Sequence, residues 1–270
     1  MTERQFERNV VFSSELESAR PSLTAWQVET LRLTAFPSPA AQVAEPTWWT
    51  DLVGEPPDTR ISRPRMGGHQ EEGPFRGGKL LLRVRPNRID WSFTTAEDQE
   101  REVESFPTIG SFPESLDKFL PLMLRWFELE PCPPAQRLAF GAILLQPVED
   151  RPAGYRQISP YLPSIRLDPE GSSDFSYQIN RPRDSVSGIT RLGINRLSKW
   201  SVSTWRAIGM SMEPTRIGYF QSQEHYACRL ELDINTVPDF QGELYQEQLS
   251  RIFEELVDLG KEIAIEGDIP

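Results

Sequence analysis

The sequence predicts an α+β fold, mainly antiparallel sheets in two packed halves, residues 1–150 and 151–270, each covered by a helix. Three observations lead there. Short segments alternate apolar and polar residues with the period of two of a half-buried strand, and two longer segments repeat apolar residues every three or four positions, as a helix does. A proline-rich crossing without periodicity, Pro147 to Pro169, separates the two sets.

The first strand runs from Trp26 to Phe36, with Leu31, Leu33 and Ala35 alternating against Thr30, Arg32 and Thr34. Residues 46–53 predict a short helix closed by Gly54 and Pro56-Pro57; its adjacent Trp48 and Trp49 point about 100° apart, so that one faces the core and an exposed partner would mark a contact surface, but both covering the edge of a core is the plainer reading. A hairpin follows, in which Leu80, Leu82 and Val84 share a face, Pro86-Asn87 makes the turn, and Ile89, Trp91 and Phe93 return. The preceding Gly67-Gly68 to Gly77-Gly78 stretch, with His69, Glu71 and Glu72, reads as a mobile surface loop.

Glu97 to Glu104 is an acidic connection. Ser111 and Glu114 then form a capping box that starts a helix with Leu116, Phe119, Leu120, Met123, Trp126 and Phe127 on one stripe. Pro121 predicts a kink or break inside it, because an interior proline removes a hydrogen bond and meets the carbonyl four residues back. Arg137 to Gln146 is a well-buried strand. The second half reads as strands at Phe175–Ile179, Ile189–Leu197 and Trp200–Ile208, with a turn at Ser198-Lys199. It closes on a strand with Cys228, Leu230, Leu232 and Ile234 on one face and Arg229, Glu231 and Asp233 on the other, then on a helix carrying Tyr245, Leu249, Ile252, Phe253, Leu256, Val257 and Ile263.

Composition narrows the function classes. A net charge of −11 argues against whole-surface attraction to nucleic acid or anionic membrane. The N-terminal residues lack a signal-peptide pattern and the longest apolar run, Leu138 to Leu145, is too short to cross a bilayer, so a cytoplasmic protein without membrane contact is expected. The two cysteines, Cys132 and Cys228, sit in dissimilar settings and read as free thiols.

No HExxH, Walker A or GxSxG pattern is present, and no catalytic residue, metal site or cofactor is expected. Two acid-bearing sites are weighed against that. His69 with Glu71 and Glu72 reads as solvated loop polarity in preference to a metal site. Glu231 and Asp233 share a strand face and are candidates for a divalent cation in a hydrolase; pairing with Arg191 or Arg196 is the plainer reading.

Charge is divided along the chain. Residues 60–88 hold eight basic residues against two acids, and residues 181–206 hold six against one, whereas residues 224–270 carry twelve acids and three bases. The basic strands supply the candidate binding residues Arg76, Lys79, Arg83, Arg85, Arg88, Arg191, Arg196 and Lys199. With Trp91, Trp200 and Trp205 interleaved they match the composition of a single-strand nucleic-acid platform, although aromatic residues in strands are more often core.

The Leu230-Glu-Leu-Asp-Ile-Asn235 strand, the closing helix with Ile252-Phe253-Glu254 and the Arg191-Leu-Gly-Ile-Asn-Arg196 segment resemble an uncharacterised, sporadically distributed bacterial family of α+β proteins. The resemblance implies a bacterial cytoplasmic protein, encoded where antiviral defence systems collect, and gives no catalytic residues. The expectation from the whole sequence is a non-enzymatic, protein-binding accessory or recognition subunit of a bacterial assembly, with homo-oligomers compatible. Nucleic-acid binding through the basic strands is the alternative, and a metal-dependent hydrolase the more distant one.

Overall fold

The computed structural model describes residues 22–38, 47–63, 67–96, 106–130, 132–213 and 216–269, and is silent on the side chains of 63, 207–213 and 216–223. The acidic connection at 97–104 and the N-terminal residues lie outside that set.

Among the described residues, ten strands make one antiparallel sheet. In chain order they are β1 (Gln27–Pro37), β2 (Thr59–Arg63), β3 (Gly68–Phe75), β4 (Gly78–Arg85), β5 (Arg88–Thr94), β6 (Ala135–Val148), β7 (Ser176–Asn180), β8 (Arg183–Asp184), β9 (Gly193–Glu213) and β10 (Arg216–Thr236). Across the sheet the order is β2-β3-β4-β5-β1-β6-β10-β9-β7, with β8 on β9. Four helices, α1 (Trp48–Val53), α2 (Phe112–Glu128), α3 (Arg151–Ile158) and α4 (Gln246–Glu266), complete the α+β fold. Strand β6 pairs with β1 on one side and β10 on the other, so the sheet runs unbroken past residue 150.

The helices lie on one face. A single register row shows how that face is built: Glu71, Leu82, Trp91, Leu33, Phe140, Ile234 and Arg196 stand side by side across seven strands. The five apolar members are no more than 0% exposed, and each charged end is met by an opposite charge, Glu71 by Arg60 and Arg196 by Glu262 of α4. Helix α2 covers this face at β5, where Phe119 stacks on Phe93 and Trp126 meets Trp91. Helix α4 covers β6 through Phe253 on Phe140, and the same Phe253 meets Phe127, joining the two helices.

Both adjacent tryptophans are buried, as the plainer reading had it, because α1 sits between two walls: Trp48 meets Trp126 of α2 and Trp49 stacks on Trp91 of the sheet. The space for Trp49 depends on Gly73, where a Cβ would stand 3.2 Å from the indole. Three other expectations are corrected. Helix α2 runs through Pro121 without a break, since that residue lies on the exposed side, where a carbonyl freed of its partner meets water. The glycine-bounded stretch is strand β3 and not a loop; His69, Glu71 and Gly73 hold its inward positions, so its alternation carried no apolar signal. Ser198-Lys199 is no turn either, because β9 continues through it to Glu213.

Two irregular segments finish the covered face. The proline-rich crossing contains α3, whose Gly154 lies against Val202 and whose Gly154 carbonyl accepts from the Cys228 thiol. The last described residues are held by a buried carboxylate: Asp268, with a side chain 0% exposed, takes two bonds from Arg181 and one each from the Tyr177 and Ser164 hydroxyls. Before it, Gly267 has φ 82°, and a Cβ there would stand 2.1 Å from the Tyr161 carbonyl oxygen.

The bonds from Arg181 hold Asp268 below the usual carboxylate range, against burial that raises it. A depressed folded-state value means stability that is present above the unfolded pKa of about 3.9 and lost as pH falls through the folded value. Arg181→Ala is therefore expected to destabilise the fold at neutral pH, since it leaves the buried Asp268 carboxylate to two hydroxyls alone. Urea unfolding at pH 7 and below pH 4 checks this, the difference from wild type shrinking in acid. Gly267→Ala is expected to cost about 3 kcal/mol or more in the same measurement, from left-handed strain added to a backbone collision.

Candidate functional site: the uncovered face of the sheet

The face opposite the helices is where the polar strand positions collect. Its rows are set by the same registers: Gln178, Lys199, Glu231, Ile143, Thr30, Thr94 and Lys79 form one, and Asn180, Leu197, Asp233, Gly141, Arg32, Ser92 and Leu81 the next. The covered rows are almost wholly apolar; these mix charges, hydroxyls and aliphatic residues.

The eight candidate binding residues do not converge. Lys79, Arg83, Arg85 and Arg88 gather on β4 and β5, with Arg76 in the turn between β3 and β4, where its guanidinium lies 5.3 Å from the Phe75 ring centre. Lys199 is on the same face but five strands away, roughly 24 Å at 4.8 Å per strand. Arg196 points to the covered side, 3% exposed and bonded to Glu262, and burial lowers its pKa from the usual arginine range. Arg191 stands outside the sheet with φ 64°.

Most of these cations are answered locally. Lys79 meets Glu72 at 3.1 Å, and Arg85 and Arg88 both bond Asp90, whose carboxyl is held below its ordinary value by bonds from Arg88 and Thr34 that outweigh its burial. Arg83 is held by the neutral Gln70 and lines, with Arg85 and Asn87, a hollow of about 460 Å³ at one end of β3 and β4. Trp91 and Trp200 are fully buried on the covered side and cannot stack against bases.

Glu231 and Asp233 separate in character. Glu231 lies directly across from Lys199 and is bonded by it at 3.2 Å and by Arg229 at 3.1 Å; these partners replace the expected Arg191 and Arg196, which the register puts elsewhere. Burial alone would raise its pKa, but the bonds from Arg229 and Lys199 lower it. Among the described residues, the Asp233 carboxylate accepts only from Asn235. Among the described residues no three His, Cys, Asp or Glu side chains come together as a metal site. Burial pushes both thiols up to about 12, which leaves them protonated and unreactive at neutral pH.

Between the two sets lies a cleft of about 390 Å³ whose floor is Gly141 and whose walls include Arg32, Ile143, Leu197, Lys199 and Asp233. Arg32 was passed over in the sequence because a lone arginine in a Thr-x-Arg-x-Thr alternation looks like any polar strand position. Gly141 lies inside the apolar run Leu138 to Leu145, where it gives no sign of a site.

No protein-family model matches the sequence, no curated protein is significantly similar to it, and no solved structure matches it. No helix is long and apolar enough to cross a membrane among the described residues.

With two cations already on Glu231, Asp233 has no second free carboxylate with which to chelate a metal. Titration with Mg²⁺ or Mn²⁺ at pH 7 is expected to give no saturable heat; saturable binding that disappears in Asp233→Asn would restore the pair as a cation site.

Proposed function

We propose that the protein is a non-catalytic, protein-binding subunit of a larger assembly, and that its contact element is the outer part of the β9–β10 hairpin. One observation carries this reading. Strand β6 accompanies β10 only as far as Tyr226, and β7 accompanies β9 only as far as Ser201, yet β9 and β10 stay paired with each other out to Glu213 and Arg216. Residues 205–213 and 216–225 thus form a two-stranded arm about 30 Å long at roughly 3.3 Å per residue.

Such an arm has reasons to find a partner. An isolated two-stranded ribbon is marginal in water, and both of its edges offer unpaired backbone groups to an added strand. Its register also sorts its residues. Met212 stands across from Ile217, Met210 from Tyr219 and Ile208 from Gln221. The segment from Trp205 to Glu224 holds two arginines and two glutamates and is neutral in a chain of net charge −11.

Nucleic-acid binding has less to rest on. The basic residues of β4 and β5 are largely neutralised by Glu72 and Asp90, and acids flank Lys199.

Replacing residues 207–223 by an Asn-Gly turn should leave the sheet and its thermal unfolding in place. Sedimentation and affinity purification from the native host are then expected to show a dimer, or a stoichiometric protein complex, for wild type and a lone monomer for the shortened chain. A wild-type protein that is a bare monomer at native expression overturns the reading.

A further inference from the structure

On the uncovered face most charges of the described residues are paired with an opposite charge; Arg83 and Arg137 are held by neutral groups, and two further exceptions, Arg32 and Asp233, share one register row. Among the described residues Arg229 has Glu29 and Glu231, Lys199 has Glu231, Lys79 has Glu72, and Arg85 and Arg88 have Asp90. Arg137 bonds the Asn235 side chain and the Thr236 carbonyl. Arg32 has no carboxylate within ion-pair distance, and its Nε is both shielded from solvent and without a hydrogen-bond partner. Asp233 has no cation; its one bond comes from the neutral Asn235, and it is exposed. The two belong to the same register row, Asp233 opposite Gly141 and Gly141 opposite Arg32.

Gly141 explains how Arg32 is placed. A Cβ on Gly141 would stand 3.2 to 3.5 Å from three guanidinium atoms of Arg32, so the guanidinium lies flat over the glycine and reaches toward β10. Asp233 stands on the far side. Asp90, whose carboxylate feels the Arg32 charge, is already bonded by Arg85, Arg88 and Thr34. The result is a guanidinium and a carboxylate facing one cleft across a missing side chain, without closing on each other. The aliphatic side chains of Ile143 and Leu197 flank the same cleft, and its volume of about 390 Å³ lies in the range of small-molecule sites, roughly 300–1,000 Å³.

We infer that this cleft binds a small zwitterion of the aliphatic α-amino-acid class, with its carboxylate on Arg32, its ammonium on Asp233 and its side chain between Ile143 and Leu197. The flanking Glu231 and Asp233 repel a polyanion, and the guanidinium repels a simple cation. A ligand carrying both charges a few ångströms apart satisfies both of these groups. This site is separate from the arm and does not depend on it.

Calorimetric titration of the full chain at pH 7 with L-leucine is the test, with 4-methylpentanoate (no ammonium), isoamylamine (no carboxylate) and the dipeptide Leu-Leu (charges further apart) as controls. L-Leucine is expected to bind saturably, and each control about 10- to 100-fold more weakly, the span of one lost charge-assisted bond. Asp233→Asn should weaken leucine by a similar factor while leaving 4-methylpentanoate unchanged. Gly141→Ala, which displaces the guanidinium, and Arg32→Ala should abolish both, with thermal unfolding confirming that each variant is folded. Asp233 is exposed, so its variant reads the site even where the other two disturb the sheet. Absence of saturable leucine binding to wild type, leucine no tighter than 4-methylpentanoate, or binding unaltered by Asp233→Asn would each overturn the assignment, and a preference for Leu-Leu would replace it with a peptide site.

Discussion

Everything else in the structure depends on strand β6 being paired along both edges at once. Its neighbours, β1 and β10, lie far from each other in sequence, and until both are seated neither set of strands has a continuous apolar face for a helix to cover. Phe140 shows the link at the scale of one side chain: it stands in register between Leu33 and Ile234, and it is the ring on which Phe253 of α4 rests. A sheet of this width with helices on one side must put polar residues on the other. The functional readings follow from that division, since only the uncovered face and the parts that outrun the sheet meet solvent as organised surfaces.

The α+β class was legible because alternation survives wherever a strand has one apolar face. Leu80, Leu82 and Val84, Ile89, Trp91 and Phe93, and Cys228 to Ile234 all lie buried as their period of two implies, and the stripes from Leu116 to Phe127 and from Leu249 to Ile263 are helical. Tyr245, counted into the second stripe, caps α4 and is 52% exposed. Strand β3 was hidden by its own chemistry, since its inward positions are histidine, glutamate and glycine, a set that periodicity counts as polar although burial treats it as core. The length of β9 was hidden by Ser198-Lys199, a pair with turn composition that lies in a strand because β10 pairs with it residue by residue.

The site was less legible, for a reason that concerns pairing more than composition. The sequence counts cations and acids but not which face or which row they occupy. Arg196 and Lys199 are three residues apart and so fall on opposite faces, one locked beneath α4 and the other bonded to Glu231 in the open. The basic runs therefore overstated a surface that neutral and acidic neighbours largely quench. Arg32 and Gly141 lie more than a hundred positions apart, and only the register makes them neighbours.

The bond from the Trp26 indole to the Ala264 carbonyl joins residues 238 positions apart, deep in the core. Its consequence is one of order in time. During synthesis the apolar faces of β1, β5 and β6 leave the ribosome well before α4 can cover them, and contacts of such separation close slowly because the loop entropy must be met first. For that interval the young chain presents an unroofed sheet. Its abundance in a cell should therefore be governed by how well that surface is shielded until the last helix arrives, as much as by the stability of the finished molecule.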